Sequence, residues 1–299
     1  MEYAIGIVTY QPDLARLREN VSALDLALGS GPNADVSNSA EGPDPSAKSL
    51  IIVDNASANI SDIRAIAGNA IMIANERNLG IAAALNQLCR KALVLGCEWL
   101  VTLDQDSVIQ PGMLKELARY TDQPDLAIIC PRIEDRNLGR QHTRHTSGTE
   151  YVSHAITAGN LVRLSAWEAV GGFTEELFID GVDFDFCLKL RENGWQILRT
   201  NNVCLYQEMG HGRRISLPFH HQMSVLNHSP QRLYYITRNY LWIGRQHHQR
   251  LHWTLEVAKR MFIVLCFEHD KWQKLRAMIK GLRHGLGSVP SVEKLNLGA

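Results

Sequence analysis

Short apolar runs alternate with helix-period segments through the first hundred residues, and each run closes on a polar residue. This rhythm leaves few folds open. Tyr3–Thr9 (YAIGIVT) is rich in β-branched residues and reads as a buried strand. Leu14, Leu17, Val21, Leu24 and Leu28 recur at the spacing of one helix face. Residues 50–54 (LIIVD) and 70–75 (AIMIAN) read as further strands, separated by a short helix around Ile60 to Ala67. A helix over 81–95 then leads to a fourth strand, 98–104 (EWLVTLD). Strands alternating with helices predict an α/β domain, Rossmann-like, with a mostly parallel sheet flanked by helices on both faces. Ligands of such sheets bind beyond the carboxyl ends of the strands. Here those ends carry Thr9, Asp54, Asn75 and Asp104, so the site is expected there. Residues 29–46, rich in Gly, Pro, Ser, Asn and Asp, read as a surface loop to which we assign no role.

With 299 residues, 45% hydrophobic and 21% charged, the chain has the composition of a soluble globular protein and the length for one large α/β domain plus a C-terminal helical appendage. A formal net charge of zero gives no reason to expect nucleic acid as partner. The six cysteines form no CxxC pair, which suits buried thiols in a reducing compartment better than a disulfide or zinc framework. The N-terminus lacks the pattern of a signal peptide, and the longest apolar run, MFIVLCF from Met261, is too short to span a bilayer. A cytoplasmic location is expected.

Asp104 and Asp106 flank Gln105 at the end of the fourth strand. In extended backbone, residues i and i+2 point to one side, so both carboxylates are expected to face one point. Adjacent carboxylates repel unless a proton or cation lies between them, and a hard ion, Mg²⁺ or Mn²⁺, suits oxygen ligands. A solvated turn is an equally open reading of the motif alone. A phosphatase using the first Asp as nucleophile would carry it after the first strand, whereas three strands precede it here. A second acidic cluster holds Glu175, Glu176, Asp180, Asp183 and Asp185. Asp183 and Asp185 fall at the start of an expected helix, where the dipole favours negative charge. Capping would account for one or two of these acids; the excess among apolar neighbours suits a base that deprotonates an acceptor hydroxyl.

Taken together and in order, IGIVTY, VDNAS (53–57), NERNLGIAAALN (75–86), LDQDS, TAGNLVRLSAWEAVGGF (157–173) and DGVDFDFCLKLRENGW resemble glycosyltransferase family 2 with its GT-A fold, over roughly residues 3–245. HSPQRLYYITRN (228–239) is similar to bacterial rhamnosyltransferases that build O-antigen or related polysaccharides. The resemblance implies an inverting transfer of a sugar, L-rhamnose from dTDP-rhamnose, to a glycan acceptor that is lipid-linked or part of a cell-surface polysaccharide. It implies that Thr9 and Asp54 contact base and ribose, and that Asn78 and Gly80 lie against the nucleotide. Asp106 would bind the metal, Asp104 would contact ribose or metal, and Asp183 would be the catalytic base. Arg232 and Arg238 are candidate diphosphate clamps, with surface arginines on a helix as the competing reading. Two positions depart from the family pattern. Val182 stands where many relatives have Glu, and Gln207 near where they often have His, leaving His211 as the candidate third metal contact.

These boundaries give a GT-A domain over 1–245 and a helical segment over 246–299. The latter mixes Trp253, Met261, Phe262, Leu265 and Trp272 with Lys and Arg at helical spacing. Two readings stay open for it: peripheral contact with the inner face of the cell membrane, or a helical pair that closes the core or a homo-oligomer interface, covering Trp253 and Phe262. A nucleotidyltransferase and a non-catalytic nucleotide-sugar or glycan-binding protein are the alternative functions. The first would want a glycine-rich phosphate loop, which is missing; the second would bind nucleotide without turnover.

Overall fold

The computed structural model describes residues 1–28, 47–135, 147–207, 213–216, 222–225 and 227–287. The chain begins β1 (Tyr3–Thr9), α1 (Leu14–Leu28), β2 (Ala47–Asp54), α2 (Ile60–Ala67), β3 (Ile71–Ala74), α3 (Ile81–Val94) and β4 (Trp99–Asp104). It continues through β5 (Val108–Ile109), α4 (Met113–Ala118), β6 (Leu126–Asp135), β7 (Thr149–Tyr151), β8 (Asn160–Arg163), α5 (Leu164–Ala169), α6 (Val182–Glu192) and β9 (Gln196–Gln207). The remaining elements are β10 (Arg213–Ser216), β11 (Gln222–Val225), α7 (Pro230–Gln246), α8 (Arg250–Phe267) and α9 (Lys271–Leu286).

Two compact units result, residues 1–173 with 186–208, and residues 174–185 with 209–299. That division follows packing and falls elsewhere than the change of composition after residue 245. In the first unit all seven residues of β1 are buried, as expected of a strand covered on both faces. The strand order is β3-β2-β1-β4-β8-β6-β9-β5, with β7 also on β9. The β3-β2-β1-β4 part is parallel throughout. Beyond it the sheet is mixed, since β8 runs antiparallel to both β4 and β6 while β6 and β9 are parallel.

Register then aligns the strand ends. Thr9 lies opposite Asp54, Val8 opposite Asp104, and Ala74 opposite Asp54, so the carboxyl ends of four strands share one edge, with Asn75 just past the end of β3. Ile5, Ile7, Ile52, Trp99, Val101 and Leu103 build the core behind that edge. Each fully buried aliphatic side chain contributes about 1.5–3 kcal/mol. Gly6 sits where α3 crosses the sheet: a β-carbon there would fall 2.8 Å from Leu88 Cδ1.

In the second unit α7 packs with α8 and α9 around Leu233, Ile236, Val264 and Met278. Gly281 and Gly285 of α9 let it approach α7 closely, a β-carbon at either lying 2.7 Å from a carbonyl oxygen of α7. β10 and β11 form an antiparallel hairpin. Among the described residues no helix is long and apolar enough to cross a membrane.

Candidate active site

At the shared edge of the first unit, Asp54 is buried and fully engaged. Its Oδ1 accepts from Thr9 Oγ1 (2.8 Å) and Ser57 Oγ (2.6 Å), and its Oδ2 accepts from the Ser57 amide (2.8 Å). Ser57 Oγ in turn accepts from the Gln11 amide at 2.8 Å. Burying a carboxylate is costly unless donors replace water. These donors meet that cost and lock the ends of β1 and β2 together. Asn55, also buried, bridges the next pair of elements. Its Nδ2 donates to Gly80 O (3.1 Å) while its Oδ1 accepts from Asn75 Nδ2 (2.9 Å). Asn75 and Gln87 exchange two amide hydrogen bonds, 3.0 and 2.8 Å, which fasten the end of β3 to α3.

Gly80 precedes α3 with φ +86°, a conformation side chains rarely adopt, and its amide donates to Asn78 Oδ1 at 2.9 Å. Asn78 and Gly80 are thus brought to Asp54 through Asn55. Asn75 closes the third strand read from the sequence and so falls where the site is expected, whereas Asn55 and Asn86 lie inside the matching motifs without a role of their own. Asn86 joins α3 to the Gly172–Phe173 turn: its Oδ1 accepts from the Phe173 amide and Trp167 Nε1, and its Nδ2 donates to Phe173 O. An Asn inside an apolar helix pattern was the available signal, because a buried amide must find partners.

The acidic pair departs from its expected geometry. β4 ends at Asp104, residues 105 and 106 form a turn, and the Ser107 amide donates back to Asp104 O at 3.2 Å. Strand alternation therefore does not orient Asp106; a turn does. Gln105 Oε1 accepts from the Tyr10 amide (2.9 Å), and Asp104 O accepts from Asn20 Nδ2 (2.8 Å), which ties this turn to β1 and α1. Asp104 Oδ2 accepts from Gln207 Nε2 at 2.7 Å. That bond fixes the amide's orientation and leaves Gln207 Oε1 buried with no hydrogen-bond partner. Among the described residues no three or more His, Cys, Asp or Glu side chains group to hold a metal. His211 and the 29–46 loop lie outside the described residues.

Asp183 begins α6 in the second unit. Its carboxylate is met by the backbone N–H of Phe184 (2.9 Å) and by no described side-chain donor. Burial pushes its pKa up to about 6; its backbone amides oppose the rise and the Asp180 charge adds to it. Asp185, two residues further on, is committed elsewhere. It accepts from Thr174 Oγ1 (2.6 Å) and lies 3.0 Å from His247 Nε2, all within the buried interior. Of the two acids, Asp183 is therefore the one left for chemistry.

The approach to Asp183 is held in unusual backbone. Phe178 and Asp180 have φ near +64° and +63°, and Gly181 follows at +83°. Such strain persists only where surroundings enforce it. Buried Asn239 does so, donating through Nδ2 to Leu177 O, Ile179 O and Asp180 O at 2.9, 2.8 and 2.7 Å. Phe178 stacks on Tyr235, with ring centroids 5.1 Å apart.

The two arginines differ. Arg232, half exposed, forms a fork on Asp180 with Nη2 at 2.9 Å and Nε at 3.1 Å. Arg238 is fully buried, donates to Glu176 O and Leu177 O, and lies over the Tyr235 ring. Neither the diphosphate clamp nor the surface arginine expected at 238 matches this position. Its guanidinium braces the 176–177 backbone.

A family model described as "Glycosyl transferase family 2" matches residues 35–187. Over 98% of both chains, the sequence is 28% identical to the dTDP-rhamnosyl transferase RfbF of Shigella flexneri. Among solved structures, S. aureus TarS 1–349 in complex with UDP-GlcNAc superposes with a TM-score of 0.59 at 16% identity, over 97% of this chain and 82% of that one. The mannosyltransferase PcManGT of Pyrobaculum calidifontis, in complex with GDP-Man and Mn²⁺, gives 0.56 at 13% identity, over 98% and 78%. At such identities these two show the shared GT-A fold.

Proposed function

We propose that this chain, which belongs to glycosyl transferase family 2, moves L-rhamnose from dTDP-rhamnose to a hydroxyl of a glycan acceptor with inversion at the anomeric carbon. The full-length likeness to a dTDP-rhamnosyl transferase supports this donor. The observation that carries the mechanism is Asp183, a carboxyl whose pKa is raised to about 6 and which no described side chain occupies. A base titrating just below neutral pH is ionised in the cell yet still basic enough to take a hydroxyl proton. Asp183 would remove that proton as the acceptor oxygen bonds to the anomeric carbon. The bond from that carbon to the diphosphate oxygen would break, and dTDP would leave with the electron pair.

Thr9, Asp54, Asn78 and Gly80 would line the nucleotide, and Asp104 its ribose or the metal. The donors available near the turn fit Mg²⁺ or Mn²⁺: the carboxylates of Asp104 and Asp106, with the unsatisfied amide oxygen of Gln207 beside them, are hard oxygen ligands. When bound, such an ion supplies positive charge to the departing diphosphate. Arg232 would add a cation on leaving Asp180. The acceptor would be a cell-surface polysaccharide or a lipid-linked glycan, and residues 1–245 would carry the catalysis.

Release of dTDP from dTDP-rhamnose tests the reading. It should require a divalent cation and fall by orders of magnitude in Asp106→Asn and Asp183→Asn. Undiminished release from Asp183→Asn would remove the base from the mechanism.

A further inference from the structure

Thirteen large hydrophobic side chains are exposed among the described residues, and eight of them belong to the α8–α9 stretch. Trp253 is buried as the sequence required, but Phe262, expected to be covered, is 58% exposed. The exposure has a pattern. α8 buries Trp253, Val257, Ile263 and Val264 and turns out Leu251, Leu255, Phe262 and Leu265, which with exposed Ala258 recur every four and three residues. That spacing draws a continuous stripe along one helix face. In α9, Trp272, Ile279 and Leu286 are exposed at intervals of seven, and Trp272 is 87% accessible. Arg276 and Arg283, also exposed, fall on the same face between them.

A clustered apolar surface of this kind marks a contact site. Charge decides what the contact is. Residues 250–287 hold eight Lys and Arg against three Asp and Glu, in a chain whose formal net charge is zero. One of the eight, Lys274, is neutralised internally by buried Glu268 at 2.8 Å. Arg250, Lys259, Lys271, Arg276, Lys280 and Arg283 are exposed. A two-fold contact with a second copy would bring the same positive excess face to face. An anionic bilayer complements it: the arginines and lysines meet lipid phosphates while Trp, Phe and Leu enter the acyl boundary. No described helix can span, so the contact is interfacial.

We propose that α8 and α9 dock the protein on the surface of an anionic phospholipid membrane through the Leu251–Leu265 stripe and the Trp272–Leu286 face. The test is flotation of the full-length protein with vesicles of phosphatidylcholine, with and without phosphatidylglycerol. Binding is expected only with phosphatidylglycerol and should weaken at high salt. Phe262→Asp and Trp272→Asp should each lower it roughly tenfold or more, with the thermal midpoint unchanged because both side chains are exposed. Arg276→Glu combined with Arg283→Glu should do the same without touching an apolar residue. Absence of vesicle binding, or binding indifferent to lipid charge and to these substitutions, overturns the proposal. So does light scattering that finds a dimer which Phe262→Asp converts to monomer.

Discussion

A carboxyl with a pKa of about 6 sits close to the working pH of a cell, so its protonation should be visible in rate and stability alike. Asp183 must be ionised to act as base. We therefore expect kcat/KM to rise from acid pH and level off above an apparent pKa near 6, with Asp183→Asn removing both the activity and that limb. The stability effect has a determined sign. The folded pKa lies above the ordinary value of about 3.9, so the native state holds the proton more tightly. Its contribution to stability is therefore lost as pH rises between about 4 and 6. Urea unfolding of Asp183→Asn at neutral pH should give a higher midpoint than the parent, and the advantage should vanish near pH 4. A lower midpoint at neutral pH would contradict the burial assigned to this carboxyl. Gln207 gives a second test at this scale. If it orients Asp104 in the metal shell, Gln207→Ala should weaken Mn²⁺ binding in the presence of dTDP by about 10–100-fold, measured by titration calorimetry, with the fold intact.

Elements constrain the account through close packing. A β-carbon at Gly281 would stand 2.7 Å from Tyr234 O and 2.9 Å from Thr237 Cβ, both on α7. Backbone cannot yield as a flexible side chain can, so Gly281→Ala should cost about 1–3 kcal/mol, read from the unfolding midpoint. Much at this level was legible in the chain itself. The β-branched run over residues 3–9 matches β1, because burial on both faces of a sheet leaves a continuous apolar signature, and the apolar positions at helical spacing mark α1. The mixed outer half of the sheet was not legible, since strand direction depends on which neighbour a strand meets and not on its own pattern. The site divided in the same way. Carboxylates at strand ends stand out by type, whereas Asn55 acts by linking the Gly80 carbonyl to the Asn75 side chain and Asn239 by bridging backbone carbonyls, roles that composition does not reveal. Arg238 looked like a phosphate ligand because charge is conspicuous in sequence and enclosure is not.

At the scale of the whole molecule the chain combines a nucleotide-sugar fold with a helical, basic and apolar C-terminal surface. A transferase whose acceptor hangs from a lipid benefits from residence at the bilayer, because confinement raises the local concentration of both partners. Family membership and fold rest on matches across the chain, and the donor rests on the reading that dTDP is the nucleotide recognised. That recognition can be measured without knowing the acceptor. Titration calorimetry of the protein with dTDP, UDP and GDP, each with and without Mn²⁺, should give tight binding for dTDP alone, dependent on the metal and lost in Asp106→Asn. Preference for UDP or GDP would contradict rhamnosyl transfer, and binding of none of the three would contradict the donor site built on Thr9, Asp54, Asn78 and Gly80.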